Sequence, residues 1–265
     1  MSTTTPAPVT EQAKVKLYWL EQSRSQRILW LMEELKVPYE LQIFHRDPQT
    51  RLAPPELKKV HALGKSPVIS VTAPGSTEPI VIAESAFIIE YLCDHFTNGT
   101  NLLPKRYKEG QEGQLGGETE SWLRYRYFMH YAEGSLMSLL LISIIAANIK
   151  GSPVPFFIKP ITSAIAGKIS SGYLEPNFSS HFSFLEAQIA SSPENGQFLC
   201  GPKLTAADIL MSFPLIAARG RAGLTQEKYP KLWAYVERLE EEPGYKKAAE
   251  KIIEIDGKFE ANFKL

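Results

Sequence analysis

Two adjacent residues, Glu84 and Ser85, have side chains suited to a ligand that carries an ammonium group beside a carboxylate. They directly precede the segment AFIIEYL, whose apolar residues have helical spacing. The Ser85 hydroxyl and the free N–H groups of a first helical turn form a site for an anion. A carboxylate one residue earlier can hold an ammonium group beside that anion. The alternative is ordinary N-capping with an acidic neighbour.

A second candidate lies in the stretch LGKSPVISV, where Pro67 directly precedes an apolar strand. Proline is accepted at the first position of a strand, and only the bond before a proline can be cis at modest cost. The alternative is a plain loop-to-strand boundary with a trans bond. Lys65 could neutralise a carboxylate at the other end of the same ligand, or it could be a surface lysine.

The stretch EQSRSQR, residues 21–27, holds two serines, Ser23 and Ser25, between a predicted strand and a predicted helix. A serine hydroxyl can donate a hydrogen bond to an anion bound at the start of the helix. If the ligand is a thiol, the hydroxyl does not readily take its proton, but it can donate a hydrogen bond to the thiolate. Lowering a thiol pKa of about 8.5 by two units requires about 2.7 kcal/mol of thiolate stabilisation. One hydrogen bond to a charged group contributes about 1.5–3 kcal/mol, so a hydroxyl plus a helix N-terminus suffices. Either serine could instead cap the helix.

The elements that must position these residues fall into two regions with different periodicities. Up to residue 97 the pattern predicts strand, helix, strand, loop, two strands and a helix. Glycines then mark a linker, and all later segments are helical in pattern, with prolines near their ends. We predict helices near residues 118–150, 156–171, 175–191, 205–218, 231–241 and 244–255. The predicted organisation is a disordered tail (1–14), an α/β domain (15–97), a linker (98–117) and an all-helical domain (118–265).

Composition limits the class of partner and the compartment. The chain has 265 residues, and 29 acidic and 29 basic residues balance, so no global field attracts nucleic acid or an anionic membrane. Two cysteines are too few for a disulfide framework and suit a reducing compartment. The polar start lacks the apolar core of a signal peptide, and we expect a cytoplasmic protein. The apolar run 136–149 is too short to span a bilayer comfortably, which favours a buried core helix.

Two motifs of the helical region are not interpreted as parts of a catalytic or metal site. TAAD, from Thr205 to Asp208, has the form of a capping box ahead of an apolar run, so we exclude it from the site. His130 and Glu133 are three residues apart on one helical face, which is too few ligands for a metal. We therefore expect no metal.

Four stretches, in this order and spacing, resemble the cytosolic glutathione transferases, and fungal and bacterial members most. They are SRSQRILWLMEEL, HALGKSPVI, IAESAFIIEYL and LCGPKLTAADILMSFPL. The resemblance covers nearly the whole chain from Val15 onward and implies a thioredoxin-like domain followed by a helical domain. The sequence departs from the family at His61 and Ala62, where Asn-Pro is frequent, and at Ser66, where the family has an aliphatic residue.

The resemblance implies a set of glutathione contacts. The family residue that matches Pro67 is cis, and the backbone of the residue before it, here Ser66, pairs with the cysteinyl part of glutathione. A cis bond turns that backbone N–H and C=O toward a peptide ligand. Glu84 and Ser85 would hold the γ-glutamyl end, and Lys65 the glycine carboxylate.

The resemblance also implies a catalytic hydroxyl. Serine-type members carry it four residues before an arginine that starts the helix, which is the spacing from Ser23 to Arg27. We therefore favour Ser23, with Ser25 as the competing assignment. Tyr131 and Glu133 are implied as contacts to the substrate or to a partner subunit.

The predicted activity is conjugation of glutathione, a co-substrate and not a cofactor, to hydrophobic electrophiles by a homodimer, as in detoxification. One alternative is a thiol transferase or a glutathione-dependent peroxidase side activity. Thiol transfer needs a cysteine in the first loop, and EQSRSQR has none. The other alternative is a non-catalytic glutathione-binding or regulatory module, since fold does not dictate function.

Overall fold

The computed structural model describes residues 13–96 and 102–261. Its first part is an α/β domain around a four-stranded sheet with strand order β2-β1-β3-β4. β1 pairs in parallel with β2 and antiparallel with β3, and β3 pairs antiparallel with β4. The elements are β1 (Lys14–Leu20), α1 (Ser25–Glu34), β2 (Tyr39–Phe44), α2 (Leu57–Val60), β3 (Val68–Thr72), β4 (Ile80–Ala83) and α3 (Ser85–His95). This is the predicted thioredoxin-like arrangement.

The helix α1 is the centre of the molecule. Its residues from Ser25 to Met32 are all buried, because the sheet and α3 cover one side and helices of the second domain cover the other. A helix that is apolar on most of its circumference needs such enclosure. The loop before α1 is therefore held between the two domains.

The second domain is all-helical, as predicted. Its elements are α4 (Glu120–Tyr131), a π-helical segment (Ala132–Met137), α5 (Ser138–Lys150), α6 (Lys159–Ile169), a second π-helical segment (Ser170–Leu174), α7 (Glu175–Ala190), a 3₁₀ turn (Pro193–Asn195), α8 (Ala206–Arg221), α9 (Pro230–Glu241) and α10 (Pro243–Asp256). The predicted break near residues 171–175 is wrong, because helix continues from 159 to 190. The wide π turn precedes Pro176 and accommodates its missing N–H.

The TAAD motif forms the expected capping box at the start of α8. The Asp208 carboxylate accepts hydrogen bonds from the backbone N–H and hydroxyl of Thr205, at 2.8 and 2.7 Å. It also accepts from Leu199 N at 3.0 Å and from the Tyr235 hydroxyl at 2.7 Å. This fully buried carboxylate joins α8, α9 and the preceding loop, so its role is structural.

The apolar run 136–149 differs from its prediction. It belongs to one continuous helix of 31 residues, Glu120–Lys150, which is long and apolar enough to cross a membrane by length and composition. Core helices of soluble proteins meet the same criterion. Only 33% of its most apolar stretch is buried. The expectation of a buried helix therefore holds only for the face of α5 with Leu139, Leu140 and Ala146.

Two domain predictions fall partly outside the described residues. The predicted tail, 1–14, lies outside them except for its last two residues, and Lys14 already belongs to β1. The first residues of the predicted linker, 98–101, also lie outside. The rest of the linker contains a bridge between Tyr107 and Glu118 just before α4.

Candidate functional site

A cavity of about 330 Å³ opens between the two domains, and most of the predicted site residues line it. Its thioredoxin-like side is formed by the loop after β1, the segment before β3 and the start of α3. Its other side is formed by α5, α8 and the π segment before α5. The predicted site residues among its lining are Ser23, Lys65, Ser66, Pro67, Glu84, Ser85 and Glu133.

The two serines of the first loop are in contact, but only one lines the cavity. Ser23 Oγ lies 2.6 Å from Ser25 Oγ and donates to the carbonyl of Leu20 at 2.8 Å. Ser25 is fully buried; its hydroxyl donates to the same carbonyl at 3.0 Å and accepts from Leu20 N at 3.1 Å. Ser25 therefore joins β1 to the start of α1, while Ser23, which also accepts from Ser25 N at 3.1 Å, lines the cavity.

The Glu84–Ser85 pair lies where β4 turns into α3. Glu84 has φ +73° and ψ +119°, in a region that residues with a Cβ rarely adopt. Such a conformation costs of order 1–3 kcal/mol and is maintained by the surrounding structure. It leaves the Glu84 side chain exposed at the cavity, and Ser85 is buried beside it at the helix start.

Behind Ser85 lies a buried arginine. The Arg27 guanidinium donates to Ser85 Oγ at 3.0 Å, to the carbonyl of Leu210 at 2.7 Å and to Glu133 Oε1 at 2.5 Å. Burial lowers the pKa of Arg27, and the charge of Glu133 opposes this shift. Arg27 thus adds positive charge to the N-terminus of α3.

Glu133 connects the helical domain to the first loop. Its Oε2 lies 3.4 Å from Arg24 Nε, and its other oxygen contacts Arg27. Burial alone would raise the pKa of Glu133, but the charges of the two arginines and the hydrogen bond from Arg27 outweigh it and lower the pKa. This carboxylate remains ionised, and it neutralises part of the positive charge at the cavity.

The segment before β3 supplies backbone groups. The Ser66–Pro67 peptide bond is cis, as the resemblance implies. Ser66 Oγ donates to the carbonyl of Tyr18 at 2.8 Å, which turns the side chain toward the sheet. Within residues 13–96 and 102–261, no hydrogen bond to the backbone N–H or C=O of Ser66 is present. Lys65 is exposed at the cavity.

The opposite wall is apolar, and sequence reasoning did not name its members. They come from the π segment, α5 and α8: Met137, Leu140, Leu141, Ile144, Phe213 and Ala217. In the sequence they are indistinguishable from core residues of an apolar helix. Arg24 and Arg46 also line the cavity and were not predicted. Adjacency of Arg24 to Ser23 is the only signal that could have found one of them.

Tyr131 lies apart from the cavity lining. It is buried, its hydroxyl is 2.5 Å from His181 Nδ1, and its ring packs against Tyr127 and Phe184. Burial raises the pKa of Tyr131. Its surroundings are those of an aromatic cluster between α4 and α7.

A thioredoxin-like domain with a cis-proline strand entry, a helical domain and a cavity between them defines the glutathione transferase class of protein. A model of the glutathione S-transferase N-terminal domain matches residues 23–95, and a model of the C-terminal domain matches residues 173–238. The chain is 34% identical over 245 residues to glutathione S-transferase 1 of Saccharomyces cerevisiae, covering 92% of this chain and 98% of the relative.

Solved structures agree. A glutathione S-transferase from Actinobacillus pleuropneumoniae is 30% identical with a TM-score of 0.64, covering 89% of this chain and 92% of that one. A glutathione transferase homologue from Lodderomyces elongisporus, solved with two GSH per subunit, has a TM-score of 0.62 at 16% identity, covering 89% and 97%. The second likeness concerns the fold alone. The chain belongs to the glutathione S-transferase family, and its enzyme class is glutathione transferase.

Proposed function

We propose that this protein binds glutathione in the cavity between its domains, ionises the thiol and adds the thiolate to a hydrophobic electrophile. The observation that carries the proposal is the composition of that cavity. One wall offers hydroxyl, carboxylate, ammonium and free backbone groups, and the facing wall is apolar. A peptide thiol and an apolar acceptor therefore have complementary surfaces a short distance apart.

The γ-glutamyl end of glutathione fits the start of α3. Its carboxylate would accept hydrogen bonds from the Ser85 hydroxyl and the first N–H groups of the helix, beside the positive charge of Arg27. Its ammonium group would pair with the exposed Glu84 carboxylate. The relative from Lodderomyces elongisporus that contains GSH supports this choice of ligand.

The remaining parts of the peptide fit the segment before β3. The backbone N–H and C=O of Ser66 would pair with the cysteinyl residue, because two such groups match the antiparallel pairing of a peptide strand. Lys65 would neutralise the glycine carboxylate. Held in this way, the thiol would lie in the same cavity as Ser23.

Ser23 would stabilise the thiolate by donating its hydroxyl hydrogen. The thiol proton leaves to solvent, the sulfur forms a bond to the electrophilic carbon, and that carbon releases its leaving group with the bonding electron pair. When the Ser23 hydroxyl turns toward the sulfur, it gives up its hydrogen bond to the Leu20 carbonyl. That carbonyl still accepts a hydrogen bond from the Ser25 hydroxyl. The hydrogen bond to the charged sulfur contributes about 1.5–3 kcal/mol, and the neutral bond that is given up contributes about 1 kcal/mol. The difference lowers the thiol pKa by roughly one unit.

Thiol–disulfide chemistry has less support from the described residues. Cys93 and Cys200 are both free and buried, and neither lines the cavity. Burial raises the pKa of Cys93 to about 12 and also raises the pKa of Cys200. A thiol that stays protonated is a poor nucleophile for disulfide exchange.

We also propose that the protein is a cytoplasmic homodimer with a role in detoxification. Free buried cysteines suit a reducing compartment. An exposed apolar side chain on α3, Phe87, and two on α4, Leu123 and Tyr127, offer surface for a second subunit. No metal or cofactor enters the proposed reaction.

The test is turnover of 1-chloro-2,4-dinitrobenzene with glutathione, together with the thiolate absorbance of the glutathione complex against pH. Ser23→Ala should raise the pKa of bound glutathione by about one unit and lower the rate at neutral pH about tenfold. Ser25→Ala is the matched control and should leave that pKa unchanged. Absence of turnover in the wild type would contradict the proposed function. A pKa shift in Ser25→Ala alone would reassign the hydroxyl.

A further inference from the structure

The hairpin formed by α5 and α6 exposes an unusual number of apolar side chains. We call them the hairpin surface; they are Ile145, Phe156, Phe157, Ile161 and Ile165. Phe156 and Phe157, in the connection between the helices, are 83% and 65% exposed. The rings of Phe156 and Phe157 are in contact, and large exposed apolar surfaces mark sites of interaction with proteins or membranes.

The helix α6 is attached to the rest of the molecule on one side only. It packs mainly against α5 and the π segment that follows it, and Ala166 is its only buried residue. Ile161 and Ile165 are one helical turn apart on α6 and are both exposed, and Phe157 is exposed in the connection just before that helix. The hairpin therefore projects from the domain with an apolar outer side.

The charge of this region is entirely of one sign. From residue 134 to 174 the chain contains no Asp or Glu and three lysines, Lys150, Lys159 and Lys168, although the whole chain has zero net charge. All three lysines are exposed, and two of them flank the exposed phenylalanines. A second copy of the same surface would bring like charges together, whereas an array of phosphate groups would neutralise them.

The backbone of the connection limits how deeply it can enter an apolar environment. Pro153 and Pro155 carry no N–H group, and the N–H groups of Gly151, Val154 and Ile158 donate to nearby carbonyls. Among the described residues, the N–H groups of Phe156 and Phe157 have no backbone partner. Because such donors are costly in hydrocarbon, the connection suits the boundary between headgroups and acyl chains, where water and headgroups can accept from them.

We propose that the hairpin surface binds the interface of anionic lipid bilayers. Phe156 and Phe157 enter the boundary between headgroups and acyl chains, and the lysines contact lipid phosphates. The same helix α5 carries Leu140 and Ile144 in the wall of the cavity. Docking at this surface brings the apolar side of the cavity close to the bilayer, where apolar compounds concentrate. The proposal does not depend on the proposed function.

The test is flotation of the full chain with vesicles of phosphatidylcholine alone and with about 30 mol% phosphatidylserine. The wild type should bind the anionic vesicles, and added salt should weaken binding. The double change Phe156→Ser with Phe157→Ser should lower the partition coefficient at least about tenfold. Lys159→Glu should lower it about fivefold or more.

Leu115→Ser is the matched control, because Leu115 is fully exposed in a glycine-rich loop outside the hairpin. It should bind vesicles as the wild type does, and circular dichroism verifies that each variant is folded. The proposal is overturned if the wild type fails to bind, if the phenylalanine variant binds equally well, or if Leu115→Ser loses as much. If light scattering gives a lower mass for the phenylalanine variant than for the wild type, and vesicle binding is unchanged, the surface is instead a contact with a second copy of the chain.

Discussion

Replacing Glu133 by alanine should destabilise the protein, because it leaves the guanidinium of Arg27 buried without a counter-ion. The Arg27 side chain is 0% exposed, and Glu133 Oε1 lies 2.5 Å from it. After the change, only the neutral partners Ser85 and Leu210 remain. Removing one member of a buried ion pair costs about 3–5 kcal/mol. Glu133 is itself 30% exposed, so water reaches the gap, and we expect about 2–3 kcal/mol.

The chain offers a matched control in the pair Arg126–Glu90. Its nitrogen–oxygen distance is also 2.5 Å, but its side chains are 43% and 34% exposed. Glu90→Ala should therefore cost less than about 1 kcal/mol. Urea unfolding of both variants, followed by circular dichroism, measures the difference. An equal loss in the two variants would refute the reasoning, because burial would then contribute nothing to the Arg27 pair.

A third variant, Glu133→Gln, tests how the contribution of this carboxylate to stability depends on pH. The pKa of Glu133 is lowered in the folded protein, so its contribution is present above the unfolded pKa of about 4.3 and is lost as the pH falls through the folded value. The stability difference between the wild type and Glu133→Gln should be full at neutral pH. The difference should begin to close below the unfolded pKa of about 4.3 and vanish as the pH falls through the folded value.

Three further predictions concern binding, assembly and the core. Glu84→Gly should weaken glutathione binding about tenfold in calorimetry, and unchanged affinity would remove Glu84 from the site. The same change should raise the free energy of unfolding by about 1 kcal/mol, because glycine adopts the positive φ of residue 84 without strain. Light scattering at micromolar protein should give twice the chain mass, and a monomer mass would contradict the proposed dimer. Asp208→Ala should cost about 3–5 kcal/mol in urea unfolding, because four buried hydrogen bonds lose their acceptor.

The order of elements and much of the polar side of the cavity could be predicted because their signals are local. A helix-starting serine after an acid, or a proline at a strand entry, is recognisable within a few residues, and Ser85 and Pro67 were found in this way. The contact between Arg27 and Glu133 spans 106 residues and depends on how the two domains pack. No local pattern contains that information, so the buried ion pair was not foreseen.

The apolar wall and the course of the long helices were missed for a different reason. Leu140 and Ile144 belong to a helix that is apolar around much of its circumference, and the sequence does not indicate which face meets the cavity. Proline was used as a sign of helix ends, yet Pro176 follows a π turn and Pro214 lies inside α8. Tertiary packing overrides local propensity at both positions.

The π-helical segment Ala132–Met137 determines the directions in which the side chains of the following helix α5 point. A π turn contains one residue more than an α turn, and each α-helical residue turns the chain by about 100°. Deleting Gly134 would remove the extra residue together with the wide turn, so Leu140 and Ile144 would still face the cavity. A regular α-helix with the same number of residues would instead turn both side chains away from the cavity by about 100°. The apolar wall therefore depends on the π turn, which keeps this face of α5 directed at the cavity.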